Sequence, residues 1–265
     1  MEPKDHQDLE RAHRLLSSPS IAMQAAELIG EPLEQSLSML PEEVTNTIVK
    51  VTQDSLEHAM SAAVFTMDDT PNIEASPWWH KIAVGLTGAA GGVFGLPALS
   101  VELPVSTVIM LRSIIDIARS EGENIDDEQV RLECLTVFAL GGDSESDDEG
   151  ETAYYATRAT LARFMSEAID HLAGRALAKD SAPILIRLIT TIAERFSIQV
   201  TEKLLAQSVP IIGAIGGATI NTLFIDHFQN MARGHFIVRR LERKYGTDVI
   251  QNSFLALSPK TRLNP

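Results

Sequence analysis

The stretch WWHKIAVGLTGAAGGVFGLPALSVELPVSTVIMLRSIIDI, residues 78 to 117, decides how the rest of the chain is read. Between Lys81 and Glu102 lie twenty uncharged residues, five of them glycine. Gly85, Gly88, Gly92 and Gly95 recur at steps of three and four, which on a helix places them on one face. Glycine costs about 1 kcal/mol against alanine inside a helix. Such a row therefore calls for close approach by a second backbone or a lipid chain. A plainer relative of the stretch returns as SVPIIGAIGGATINTLFI, residues 208 to 225. Each contains a G-x-x-x-G step, Gly88 to Gly92 and Gly213 to Gly217, and the two are expected to cross as core helices.

Working outward, apolar residues recur at helical spacing and no strand alternation stands out. The fold class is all-α, a multi-helix bundle around two glycine-rich apolar helices. Residues 1–40 read as short helices broken at Ser18-Pro19 and Gly30-Glu31-Pro32. Residues 41–257 form the main helical domain, with an acidic loop at 143–151 and a tail at 258–265. Helices are expected over 41–67, 104–120, 126–140, 152–178, from Pro183 onward, over 210–245 with a break at Gly234, and over 247–257. Pro97 and Pro104 bracket a helix start, so the glycine-rich stretch and the helix after it are expected to form a hairpin.

Hydrophobic residues make up 45% of the 265, enough for a sizeable core. Cys134 is the single cysteine, which excludes an internal disulfide and a multi-cysteine zinc site. Its setting in the apolar run CLTVFAL reads as core packing rather than a nucleophile. The start, MEPKDHQDLERAH, lacks the apolar core of a signal peptide, which points to the cytoplasm. Of the net charge of −14, residues 121–151 carry −11, with twelve acids and one base. That balance disfavours nucleic acid as a partner. Residues 233–244 hold five bases (Arg233, Arg239, Arg240, Arg243 and Lys244) and only Glu242 in opposition, so opposite potentials are expected at two ends of the molecule.

The run GAAGGVFGLPALSVELPVSTVIMLRSIIDIARSEGE resembles the EcsC protein family. Clustered glycines, Gly-Leu-Pro at 95–97, then Arg112, Ile117-Ala118 and Gly122 carry the likeness, as does VPIIGAIGGATIN followed by a stretch ending Arg-Lys-Tyr-Gly. Together these span about residues 78 to 246. The family takes its name from a product associated with a bacterial ABC exporter operon, so the resemblance implies an exporter-linked process. It implies no defined reaction, and no catalytic residue is carried over.

Sequence signals for catalysis are weak. There is no Gly-x-Ser-x-Gly, and GLTGAAGG lacks the lysine and hydroxyl residue of a phosphate-binding loop. The acidic run has Asp148 where a calcium loop needs glycine, and Tyr154 where it needs the closing glutamate. Glu10 and His13 give one Glu-x-x-His pair with nothing to complete a di-metal set. Neither metal nor cofactor is expected. The residues hardest to dismiss are polar ones in apolar surroundings: Glu102, the i, i+4 pair Arg112 and Asp116, and Asn221, Asp226 and His227. In the bland reading Glu102 caps the helix near Pro104 and Asn221 bonds across the packed glycine helices. In the sharper reading these residues hold a ligand headgroup or an ion. A lipid hydrolase with a site near Glu102, Asp116 and His227 is the weakest reading.

About 20 uncharged residues is a spanning length, and 82–101 and 204–225 both reach it, diluted by glycine, hydroxyl residues and proline. The segments could be buried in a bundle, inserted in a bilayer, or buried and then exposed on docking. Trp78, Trp79 and Lys81 suit a bilayer interface. Arg239, Arg240, Arg243 and Lys244 would favour anionic headgroups by about 1 kcal/mol each. The reading adopted is a non-enzymatic cytoplasmic protein associating peripherally with an anionic lipid or membrane surface. The alternative is an adaptor presenting the acidic loop to a membrane protein complex.

Overall fold

Apolar residues at helical spacing, punctuated by glycine, proline and capping acids, divide the chain into helices. The computed structural model describes residues 1–29, 40–65, 95–141, 150–174, 182–208 and 213–257. Among these are nine α-helices, one 3-10 turn and no strand, so the fold is all-α and multi-helical. They are α1 (Pro3–Leu16), α2 (Ile21–Ile29), α3 (Glu42–Phe65), α4 (Gly95–Ser120), α5 (Glu128–Thr136), α6 (Gly150–Gly174), α7 (Ala182–Ser208), α8 (Gly213–Tyr245) and α9 (Thr247–Leu255). The 3-10 turn Val137–Ala139 follows α5. Residues 66–94, with Trp78, Trp79, Lys81 and most of the first glycine row, lie outside the described residues, as do 142–149 and 258–265. No helix among the described residues is long and apolar enough to cross a membrane.

Two expectations about breaks are corrected. Helix α4 begins at Gly95 and runs through Pro104 instead of starting there. Proline cannot donate to the carbonyl four residues back. Yet Leu99, Leu103, Val105 and Thr107 are all buried, and that packing outweighs the local penalty. Pro97 falls in the first turn, where a missing N–H costs nothing. Helix α8 likewise passes through Gly234 unbroken. A Cβ there would lie 2.6 Å from Leu16 Cγ and 3.1 Å from the Ala12 carbonyl oxygen, so this glycine serves the close approach of α1.

The chain divides into two compact units. The first comprises Met1–Ser20, Ser113–Arg195 and Asp226–Pro265. Its core includes Leu9, Ala12, Ile114, Phe138, Leu161, Phe228, Phe236 and Phe254, all 2% exposed or less. Phe138 and Phe228 pack with ring centroids 5.3 Å apart, and Phe254 stacks on Tyr154 at 5.7 Å. Cys134 is buried here, and burial pushes its thiol up to about 12, which keeps it protonated and unreactive. The second unit comprises Ile21–Arg112 and Phe196–Ile225. Ala25, Ala206 and Ile220 form a buried apolar cluster in it, with Leu223 against them. Phe196 and Phe224 stack with centroids 6.0 Å apart.

Candidate functional site

The densest polar chemistry lies in the first unit, where α8 meets the turn after α4. That turn is built by glycine. Gly122, at φ +79°, ends the helix, with Gly122 N–H donating to the Arg119 carbonyl and Glu123 N–H to the Ala118 carbonyl, both at 3.1 Å. This is the paired hydrogen bonding that closes a helix on a left-handed residue. It fixes Glu123 one residue beyond the turn. Asp127 then caps α5, its carboxylate accepting from Gln129 N–H at 2.8 Å, and α5 presents Glu133 on the same side.

Facing them, α8 carries His235, Arg239 and Arg243 at i, i+4 and i+8. Arg239 donates from Nε to Glu123 at 2.8 Å and from Nη1 to Glu133 at 2.6 Å. Arg243 also donates to Glu123 and, at 2.8 Å, to the Glu121 carbonyl. Arg240 reaches Glu121 at 2.7 Å and Asp8 at 2.8 Å. Lys244 meets Asp5 at 2.7 Å and Glu2 at 3.1 Å. With the Tyr245 hydroxyl, it holds the Asp5 carboxyl below its usual range. The expected opposition of charged ends is therefore corrected for these acids: Glu121, Glu123 and Glu133 sit directly on the basic segment.

Behind this belt runs a buried chain, Tyr154 to His235 to Glu133. Tyr154 Oη lies 3.1 Å from His235 Nδ1, and His235 Nε2 lies 3.2 Å from Glu133 Oε2. Burial pushes the Glu133 carboxyl up, but the His235 hydrogen bond and the Arg239 charge outweigh it and hold the group at about 2. The same burial keeps the His235 imidazole below its ordinary range, hence neutral. An ionised acceptor on Nε2 requires the hydrogen there, so Nδ1 accepts from the tyrosine hydroxyl. Arg158 grips Glu242 with two hydrogen bonds of 2.8 and 2.9 Å. No member of this chain is poised to exchange a proton near neutrality. Its chemistry is that of a satisfied polar core.

The sequence candidates are dispersed. Glu102, Arg112 and Asn221 belong to the second unit; Asp116, Asp226 and His227 belong to the first. No described hydrogen bond or ion pair links any two of the six. Glu102 is not a helix cap. It sits inside α4 and binds Lys203 Nζ at 2.6 Å, with the lysine side chain only 2% exposed and lying 4.6 Å from the Phe224 ring centroid. Asp116 pairs with Arg119 at 3.1 Å rather than with Arg112, which is exposed. Asn221 Oδ1 is buried without a hydrogen-bond partner, and Asp226 is exposed. His227 is 2% exposed, neither ring nitrogen has a well-formed hydrogen bond, and burial lowers it to about 4 despite the approach of the Leu140 backbone. Sequence reasoning missed Tyr154, His235, Glu123, Glu133 and Arg158. The available signal was the helical spacing of His235, Arg239 and Arg243. Among the described residues, no group of three or more His, Cys, Asp or Glu side chains is placed to hold a metal ion.

A model of the EcsC protein family matches residues 4–241. The chain belongs to the EcsC protein family. The match reaches further toward the amino terminus than the stretch that carries the resemblance, so it takes in α1 and α2 as well as the glycine-rich segments. No curated protein and no solved structure gives a significant match to this EcsC-family chain.

In the second unit, Glu202 is 5% exposed, and its carboxylate accepts from the Ala22 N–H at 3.1 Å, capping the start of α2. Burial raises it to about 7 although the backbone N–H groups of Ala22 and Ile21 pull the other way. A raised carboxyl means that the folded state binds the proton more tightly than the unfolded one. The stabilisation is thus complete below the unfolded value near 4.5 and is lost as pH rises through about 7. Its size is about 3 kcal/mol at most. Thermal melts from about pH 5 to about pH 8 should show Glu202→Gln gaining on the parent as pH rises. Parallel profiles would contradict this assignment.

Proposed function

We propose that this EcsC-family protein is non-enzymatic and docks on a membrane from the cytoplasmic side, in service of an exporter-linked process. The contact is apolar, made by the uncharged stretch 82–101 with its Trp78-Trp79 border. The observation that carries this reading is where the positive charge goes. Arg239, Arg240, Arg243 and Lys244 are each engaged by carboxylates of the same unit at 3.1 Å or less, which leaves little free charge for anionic headgroups. At the described end of the stretch, Val101 is 72% exposed, one residue before the Glu102–Lys203 pair. Anionic lipid therefore counts for less than the hydrophobic contact, because surface attraction scales with unpaired bases.

The test is co-sedimentation of the full chain with vesicles of phosphatidylcholine alone and of phosphatidylcholine mixed with phosphatidylglycerol. The protein should pellet with both, and high salt should leave most of it bound, since screening weakens only the electrostatic share. Failure to pellet with either at low salt would overturn the reading.

A further inference from the structure

Helix α2 has no acid of its own in the first turn, where unpaired backbone N–H groups favour one. The chain supplies a carboxyl from 180 residues away. Glu202, on α7, accepts from the Ala22 N–H at 3.1 Å, and the Ile21 N–H bonds to it as well. One turn further along each helix, Ala25 and Ala206 pack together with Ile220 of α8. Ile21, Ala22 and Ala25 are 4% exposed or less. A short apolar face of α2 thus closes over a carboxyl that is itself only 5% exposed.

That carboxyl has backbone partners and no cation. Lys203, next along α7, is committed to Glu102 of α4. Glu27, the one ionisable residue of α2, is exposed, and α8 carries no charge from Gly213 to Ile225. Two backbone donors do not replace the water lost on burial, so the charged form is disfavoured. The neutral carboxyl still accepts from α2 through its carbonyl oxygen. Ionisation leaves a buried charge with no counter-ion, and the cheapest way to hydrate it is to open the short helix above it.

We propose that Glu202 is a proton-operated latch on α2: with its carboxyl protonated α2 stays docked on α7, and ionisation as pH rises lets α2 detach and uncover Ala206 and Ile220. The latch is independent of the membrane contact proposed above. It is tested without vesicles, so failure of either reading leaves the other standing.

The test is amide hydrogen–deuterium exchange of the full chain, resolved to α2 and corrected for the intrinsic pH dependence of exchange. Between about pH 6 and about pH 8.5, protection of α2 should fall by about tenfold. At the higher pH, α2 should exchange more than about tenfold ahead of residues 236–241 in the α8 core. Glu202→Gln keeps an acceptor and removes the change of charge. In that variant α2 should be equally protected at both pH values. Protection of α2 indifferent to pH in the parent, the same fall in Glu202→Gln, or α2 exchanging no faster than the α8 core would each overturn the proposal.

Discussion

Replacing Arg239 with methionine is expected to lower the unfolding free energy by about 3–5 kcal/mol, the usual cost of stranding buried charge. The guanidinium bridges two carboxylates, Glu123 and Glu133, whose side chains are 5% and 13% exposed. Without it Glu123 keeps Arg243, while Glu133 keeps only a neutral histidine. Adding Glu133→Gln to Arg239→Met should recover part of the loss, because the stranded charge is then gone. The comparison is Arg119→Ala, which breaks an ion pair whose partners are 59% and 72% exposed. That change should cost less than about 1 kcal/mol. Equilibrium denaturation of the variants measures both. Equal small losses for Arg239→Met and Arg119→Ala would mean that the belt is surface decoration.

The second large effect is expected at Gly141. This residue has φ +82°, and a Cβ added there would lie 2.8 Å from both His227 Nε2 and Met231 Sδ. The methionine can swing aside. The His227 ring, locked in the core next to Phe228, cannot move as cheaply. Backbone strain and overpacking together make Gly141→Ala destabilising by about 2–4 kcal/mol. Gly122→Ala separates the two contributions. Gly122 has φ +79°, but its nearest added-Cβ contact is Arg243 Nη2 at an ordinary 3.8 Å. It should cost only the strain, about 1–2 kcal/mol. Thermal denaturation of the two alanine variants side by side reads the difference. An equal loss at both positions would remove His227 from the account.

How much of this was legible in sequence follows from how far apart the interacting residues stand. Helical periodicity is local, so α3, α6, α7 and α9 begin within two residues of where the apolar pattern places them. The helix expected over 126–140 is shorter in the fold: α5 ends at Thr136, and a 3-10 turn and the extended Leu140 separate it from Gly141 with its positive φ. Pro104 and Gly234 misled for the complementary reason. Their local cost is real, but burial of neighbours such as Leu103, and the approach of α1, are set by residues far away in sequence. Both halves of the ion-pair belt were visible as clusters, acids after 121 and bases after 233. Their meeting was not, since Arg239 and Glu123 are 116 residues apart. The pairing also bears on a functional expectation: the bases that read as a headgroup contact in sequence are each engaged by carboxylates in the fold. Glu102 shows the same limit. A lone acid in an apolar run looks like a cap or a site, and only the fold brings Lys203 beneath it.

The proposed function has this EcsC-family protein meeting a membrane through its apolar stretch and not through its bases. The chain offers its own reporter, because Trp78 and Trp79 are its only two tryptophans and stand at the border of that stretch. Tryptophan emission of the unmodified protein should shift to shorter wavelength when phosphatidylcholine vesicles are added. Lipids brominated on the acyl chain should quench it, and high salt should change neither effect. Emission indifferent to vesicles, or a shift that needs anionic lipid and vanishes with salt, would contradict the claim.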